Sequence, residues 1–236
     1  MMNAKDVIVA LDFKNKEEAL TFLKNFEEGI YVKIGMELFY SAGPDIVREI
    51  KEMGHKIFLD LKFHDIPNTV AGATRSCLSL GVDMLNLHAS GGSKMMEAAM
   101  EEAKKADKMP LLIAVTVLTS MNEKTMKEEL HVETSIEDTV LNYARLSKNS
   151  GLKGIVCSAL EVERVRKEMG EDFVTVTPGI RPLDSSAGDQ SRVVTPERAR
   201  ELGSHYIVVG RPITMAQNPR EAYEKIRNEF LGGLER

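Results

Sequence analysis

Cysteine is scarce: only 2 of the 236 residues. Cys77 and Cys157 are too few for a disulfide scaffold or a clustered metal site, and their apolar or small-residue surroundings fit a reducing cytoplasm. Long hydrophobic runs are missing too. Nowhere do about 18 uncharged apolar residues follow one another, and Met1 to Asp12 has no long apolar stretch before its first charges, so neither export nor membrane insertion is expected. Positive charge is in deficit, with 31 Lys and Arg against 36 Asp and Glu for a formal net of −5. Such a balance offers no general attraction to nucleic acid or to an anionic membrane, and a phosphorylated ligand would need a local basic site. Metal-ligand spacing is also lacking: His55, His64, His131 and His205 form no pairs, and His88 is expected to bond its neighbours rather than a metal. No Pro- or Ser-rich linker and no low-complexity tract divides the chain.

What is present is a core-forming composition, 43% hydrophobic and 28% charged. Short β-branched or apolar runs recur at Val7–Leu11, Ile30–Ile34, Lys56–Leu61, Met84–His88, Leu111–Val117, Gly154–Ser158, Phe173–Thr177 and His205–Val209. Between them lie stretches of helical spacing, among them Lys16–Phe26, Pro44–Met53, Thr69–Leu80, Lys94–Lys105 and Ile136–Lys148. Units of about 30 residues with near-continuous apolar strands suit parallel strands covered by helices, which predicts a single α/β domain over residues 1–236, a (β/α)₈ TIM barrel. A doubly wound sheet is the competing architecture. It would usually carry a Gly-rich phosphate turn after its first strand, whereas Leu11 runs directly into Asp12, Phe13 and Lys14. Two connections are longer than the rest: Thr119–Ser135, with a charged helical piece at Glu123–Glu129, and Gly179–Thr195. Both follow strands, so both are expected to open on the catalytic face of the barrel.

The run from Phe58 to Thr69 places charges where a core should be. Side chains alternate along a strand, so Asp60 and Lys62 share the inward face while Leu59 and Leu61 meet the helices. Charges inside a barrel persist only when paired, solvated or functional. Lys33 within the second strand and Asp12 just after the first are expected at the same mouth, with Asp65 three residues beyond Lys62. A structural ion-pair network tying strands together is the alternative for any one of these residues; their common placement favours function. Carboxylates beside an ammonium favour its charged form, which suits a proton donor and argues against an imine-forming lysine.

Near the C-terminus, Val208-Val209-Gly210-Arg211-Pro212 ends a strand with a glycine that lets backbone approach a ligand and an arginine that can fork onto phosphate. Barrels commonly bind phosphate after strands seven and eight. Thr177-Pro178-Gly179-Ile180-Arg181-Pro182 and the polar run to Gln190 supply the facing loop.

These words together resemble the orotidine 5′-phosphate decarboxylases. The likeness runs nearly end to end, through Ala10-Leu11-Asp12, Val32-Lys33-Ile34-Gly35, Asp60-Leu61-Lys62-Phe63-His64-Asp65-Ile66-Pro67-Asn68-Thr69, Leu87-His88-Ala89, Thr177 to Pro182 and Val209 to Ile213. The resemblance implies a (β/α)₈ homodimer that removes CO₂ from orotidine 5′-monophosphate to give UMP in de novo pyrimidine biosynthesis, with no metal or organic cofactor. It implies that Lys62 protonates C6 of the pyrimidine and that Asp60 sits against the departing carboxylate. Asp65 would cross from the second subunit to hold Lys62. Asp12 and Lys33 would bind ribose hydroxyls, Lys33 also completing the catalytic charge row. Gly210, Arg211 and Gln190 would receive the phosphate with Arg181 nearby, Thr119 would lie near the pyrimidine, and Ile66 and Thr69 would also contact substrate. Two other readings differ in class. A magnesium-dependent sugar-phosphate decarboxylase shares Asp-x-Lys-x-x-Asp but carries an acid where this chain has Lys33, and a non-catalytic nucleotide-binding barrel would give Lys62 no proton to transfer.

Overall fold

The computed structural model describes residues 5–182 and 193–233. Strands β1 (Asp6–Ala10), β2 (Tyr31–Gly35), β3 (Lys56–Phe63), β4 (Met84–His88), β5 (Leu111–Val115), β6 (Gly154–Val156), β7 (Val174–Thr177) and β8 (Tyr206–Val209) pair in parallel and close a barrel in sequence order. Around it lie α1 (Lys16–Leu23), α2 (Met36–Ala42), α3 (Asp45–Glu52), α4 (Pro67–Leu78), α5 (Ser93–Ala103), α6 (Glu123–Glu128), α7 (Ile136–Asn149), α8 (Val162–Met169), α9 (Pro196–Glu201), α10 (Arg211–Thr214) and α11 (Pro219–Leu231). The predicted TIM barrel is therefore the observed one.

Period-two alternation sorts the strand residues into two shells. Val7, Val9, Val32, Ile34, Leu59, Leu85, Leu87 and Val209 point outward and pack against the helices. Ile8, Ala10, Tyr31, Phe58, Met84, Ile113, Val174, Val176, Tyr206 and Val208 fill the interior. At the N-terminal end the rings of Tyr31 and Tyr206 meet edge to face, centroids 5.8 Å apart. Gly154 is needed where β6 meets β7, because a Cβ there would lie 2.4 Å from the carbonyl oxygen of Val174.

Several boundaries differ from the sequence reading, each for a local reason. α1 stops at Leu23, and Phe26 packs from the following turn, with the Asn25 carboxamide bonding the Phe22 carbonyl. α4 begins at Pro67 rather than Thr69, because proline suits the first helical turn. β5 and β6 end before Val117 and Ser158, whose residues continue as buried loop. α2 was not foreseen: it starts at once after Gly35, with no polar cap side chain to announce it.

One irregularity bears on function. β3 and β4 run in register at Phe58↔Met84 and Leu59↔Leu85, then resume at Phe63↔Leu87. Residues 60 to 62 of β3 thus face Asn86 alone on β4, two residues in excess. At this bulge Lys62 has φ 51°, and among the described residues only His131 (φ 54°) shares a positive φ without being glycine. A lysine held there costs about 1–3 kcal/mol unless its surroundings enforce it, and such positions concentrate at functional sites.

Candidate active site

Four charged side chains form a row across the C-terminal mouth. Asp12 follows β1 directly, and the main chain there is tied to β2 by the Leu11 amide on the Lys33 carbonyl, 2.9 Å. Lys33 Nζ lies 3.0 Å from Asp12 Oδ1 and 3.4 Å from Asp60 Oδ2. Lys62 Nζ lies 2.8 Å from Asp60 Oδ1. The order Asp12, Lys33, Asp60, Lys62 alternates in sign along β1, β2 and β3. Alternation alone does not deliver this geometry: Leu59 and Leu61 do face the helices, but Lys62 reaches Asp60 from the bulge, in a left-handed backbone conformation.

Burial pushes the Asp60 carboxyl up, but the charges of Lys33 and Lys62, with hydrogen bonds from Lys62 and Asn86, outweigh it and hold the group below the usual carboxylate value. Burial likewise pushes the Lys33 ammonium down, and the charges and hydrogen bonds of Asp60 and Asp12 more than reverse this. Asp60 is therefore an anion and Lys33 a cation at neutral pH.

Two connected cavities share Lys33, Pro178 and Val208. The inner one, ≈ 180 Å³, has Asp60, Lys62 and Thr119 among walls otherwise made largely of Phe58, Val115 and Val117. The outer one, ≈ 490 Å³, is lined by Asp12, Lys33, Gly179, Arg181, Gly210 and Arg211. A small apolar chamber with charges at its floor thus opens into a wider, arginine-bearing one. Arg211 starts α10 beside Gly210, where an added Cβ would meet only ordinary contacts, 3.6 Å from Ala10 Cβ and 3.8 Å from Asp12 Oδ2. Beside the row, the His88 and His64 rings lie 5.3 Å apart, and burial, followed by the electrostatic influence of the neighbouring His64 and Lys62, lowers the His88 pKa.

The sequence-predicted residues Asp12, Lys33, Asp60, Lys62, Thr119, Arg181, Gly210 and Arg211 are thus brought together. Asp65, Ile66 and Thr69 are not. All three are exposed, Ile66 at 66%. The Asp65 carboxylate accepts from the Ile66 amide at 2.6 Å, and among the described residues no ion pair joins it to Lys62. Gln190 lies outside the described residues, as do positions 183–192 of the long connection after β7. One residue was missed. Asn86, wholly buried, donates to Asp60 Oδ1 at 2.6 Å and accepts from the Lys62 amide at 2.9 Å. An asparagine at an inward position of Met84-Leu85-Asn86-Leu87 was the available signal.

Residues 5–226 match the family described as orotidine 5′-phosphate decarboxylase / HUMPS. The chain belongs to that family. Its curated relatives include the orotidine 5′-phosphate decarboxylase of Bacillus cytotoxicus, 57% identical over 97% of this chain and 98% of that protein. Among solved structures, the orotidine 5′-phosphate decarboxylase of Lactobacillus acidophilus superposes with TM-score 0.87 at 42% identity, covering 96% of this chain and 99% of that one. The enzyme of that name from Pyrococcus horikoshii gives TM-score 0.77 at 26% identity, covering 96% and 99%. As in the resemblance drawn from sequence, this member of the orotidine 5′-phosphate decarboxylase / HUMPS family carries its charge row on β1 to β3. Among the described residues, no helix is long and apolar enough to cross a membrane, and no three or more His, Cys, Asp or Glu side chains cluster as a metal site.

Proposed function

We propose that the chain decarboxylates orotidine 5′-monophosphate to UMP and CO₂, and that the residues of the charge row carry the reaction. The observation that bears most weight is the Lys62 ammonium 2.8 Å from a buried Asp60, at the floor of an apolar chamber that opens toward Arg181 and Arg211. The chamber accommodates a flat ring, the basic end a phosphate, and Asp12 with Lys33 the hydroxyls between.

In this reading the substrate carboxylate lies beside Asp60. The bond from C6 to the carboxylate breaks, CO₂ departs, and the electron pair left on C6 takes a proton from the Lys62 ammonium. Lys62 becomes a neutral amine and is reprotonated from solvent. The pair on C6 occupies an in-plane orbital that the ring carbonyls cannot delocalise, so a fixed adjacent cation is the stabilising element, and fixed charges aimed at developing charge are usually the largest catalytic contribution. Binding energy from a phosphate far from C6 can be spent on the reaction at the base. Lys33 weighs against the magnesium-dependent alternative, because its ammonium, paired to both Asp12 and Asp60, would repel a divalent ion.

A homodimer completes the site. Asp65, Ile66 and Thr69 are exposed in the single chain, and among the described residues Lys62 has one carboxylate, Asp60, within ion-pair distance. A second subunit that covers Ile66 and brings its own Asp65 to Lys62 accounts for both facts. A cytoplasmic enzyme is the compatible location.

The test is loss of orotidine 5′-monophosphate absorbance with and without EDTA, in the unaltered protein and in Lys62→Ala. The unaltered protein should turn over with or without chelator. Lys62→Ala should lose turnover by about 10⁴-fold or more, combining proton donation with charge stabilisation, while UMP affinity changes by less than about tenfold. Turnover surviving in the variant would end the proton-donor role, and abolition by EDTA would restore the magnesium reading.

A further inference from the structure

Asn86 is buried to 0% exposure on the inner face of β4 and contacts both members of the Asp60–Lys62 pair. Its two bonds leave no ambiguity of orientation. A carboxylate such as Asp60 can only accept and a main-chain N–H such as that of Lys62 can only donate, so the amide nitrogen of Asn86 faces Asp60 and its oxygen faces Lys62. The second bond sits at the bulge. With three β3 residues opposite one on β4, Asn86 takes the place of a strand neighbour for the Lys62 amide, and it does so where Lys62 holds φ 51°. The first bond occupies the Asp60 oxygen that also receives the Lys62 ammonium. One carboxamide thus fixes the backbone of the proposed proton donor and the carboxylate that orients its side chain.

We propose that Asn86 is a positioning residue for the decarboxylation: it locks the β3 bulge so that the Lys62 ammonium is aimed at the reacting carbon, and acts on turnover rather than on ligand affinity. The inference rests on the function proposed above. Asn86 lines neither cavity, so its effect on ligands is transmitted through Asp60 and Lys62. Asp12, Lys33, Arg181 and Arg211, which would hold ribose and phosphate, have no bond to it among the described residues. The charged and titratable groups around Asp60 are Lys33 on β2, Lys62 on β3, Asp12 after β1 acting through Lys33, and His88 at the end of β4.

The test compares Asn86→Leu, of similar size but without either bond, with Asn86→Asp, which keeps the acceptor for the Lys62 amide and loses the donor to Asp60. Both are measured for kcat, KM, UMP affinity and the pH profile beside the unaltered protein. Asn86→Leu should lose kcat by about 10²-fold, the scale of a reacting group displaced by about 1 Å, with UMP affinity changed less than about threefold. Asn86→Asp, placing a second carboxylate against Asp60, should shift the acid limb of kcat to higher pH; a purely structural part would not move that limb. In the unaltered protein, the Asn86 side-chain amide resonances should titrate together with the Asp60 carboxyl, a measurement independent of variant folding and of turnover. Unchanged kcat in a folded variant, equal losses of kcat and UMP affinity, an unmoved acid limb, or amide resonances that ignore Asp60 would each overturn the proposal. Absence of turnover in the unaltered protein would instead overturn the assigned reaction.

Discussion

Replacing Asp60 with Asn should destabilise the ligand-free protein, and the structure gives the size of the effect. Asp12 and Asp60 balance Lys33 and Lys62 in the row. Neutralising Asp60 leaves two ammoniums against one carboxylate, and the survivor, Asp12, is the exposed one, with 63% of its side chain accessible against 10% for Asp60. At an effective dielectric of about 20, the contacts at 2.8 and 3.4 Å are worth about 6 and about 5 kcal/mol of gross attraction. Desolvation of the three groups offsets most of that sum, so the measurable quantity is the cost of stranding buried charge, about 3–5 kcal/mol. Asparagine can still hydrogen-bond, which favours the lower end. A loss of about 3 kcal/mol should lower the Tm by roughly 6–12 °C in a chain of this size and shift the urea midpoint with little change in slope. The pH dependence has a fixed sign. Because Asp60 is held below its ordinary 3.8, its contribution is fully present at neutral pH and is lost as pH falls below 3.8 through the lowered folded value. The gap between unaltered protein and variant should therefore hold steady from neutral pH down to about that point and narrow beneath it. Thermal and urea unfolding of apo protein at neutral pH is the assay. A variant as stable as its parent would refute the reasoning, since it would mean that Lys33 and Lys62 need no buried counter-charge.

Arg211→Ala should raise KM for orotidine 5′-monophosphate by about 10- to 100-fold, the value of a charge-assisted contact; an unchanged KM in steady-state assays would move the phosphate elsewhere. Mixing Lys62→Ala with Asp65→Ala subunits should restore on the order of a quarter of the parental activity, because half of reassorted two-fold dimers would then hold one complete site; no recovery after verified subunit exchange would deny Asp65 a role across the interface. His55 and His205 should make the fold acid-sensitive. Burial lowers the pKa of each below 6.5, and each accepts a main-chain N–H, from Ile30 at 3.1 Å and Thr175 at 3.2 Å, so protonation favours the unfolded chain and stability should fall as pH drops below 6.5 through the lowered values. A urea midpoint that stays constant across that range would contradict it. Ile113→Ala, emptying a fully buried position inside the barrel, should cost about 2–5 kcal/mol in urea unfolding.

The barrel was readable because parallel strands buried on both faces leave unbroken apolar runs, and the order Val7, Val9 outward with Ile8, Ala10 inward needs no information from outside the strand. Helix ends were less so. α2 follows Gly35 with no capping side chain, and α1 ends at Leu23 although the apolar pattern reaches Phe26, since Phe26 packs on the edge of Tyr223 from a turn, ring centroids 5.7 Å apart. Packing against a distant helix decides such ends, and it leaves no mark in the local sequence.

The site divides along the same line. Lys33 and Asp60 stood out because a charge on an inward strand position contradicts its apolar neighbours, and Asp12 because it lies just beyond the first strand; period turns Lys33 and Asp60 to the same face, while the register sets Asp60 opposite Gly35, two residues beyond Lys33. Lys62 reached the correct partner by a route that period does not describe. Strict alternation would put Asp60 and Lys62 on the same face about two residues apart along a straight strand, whereas the two extra residues opposite Asn86 bend β3 and turn Lys62 through a positive φ. Whether a strand bulges depends on what its neighbour offers in exchange for a lost ladder bond, and here the offer is a side chain 24 positions further on. Asn86 itself reads as an isolated polar residue until β3 and β4 are paired, so its importance is a property of the pair.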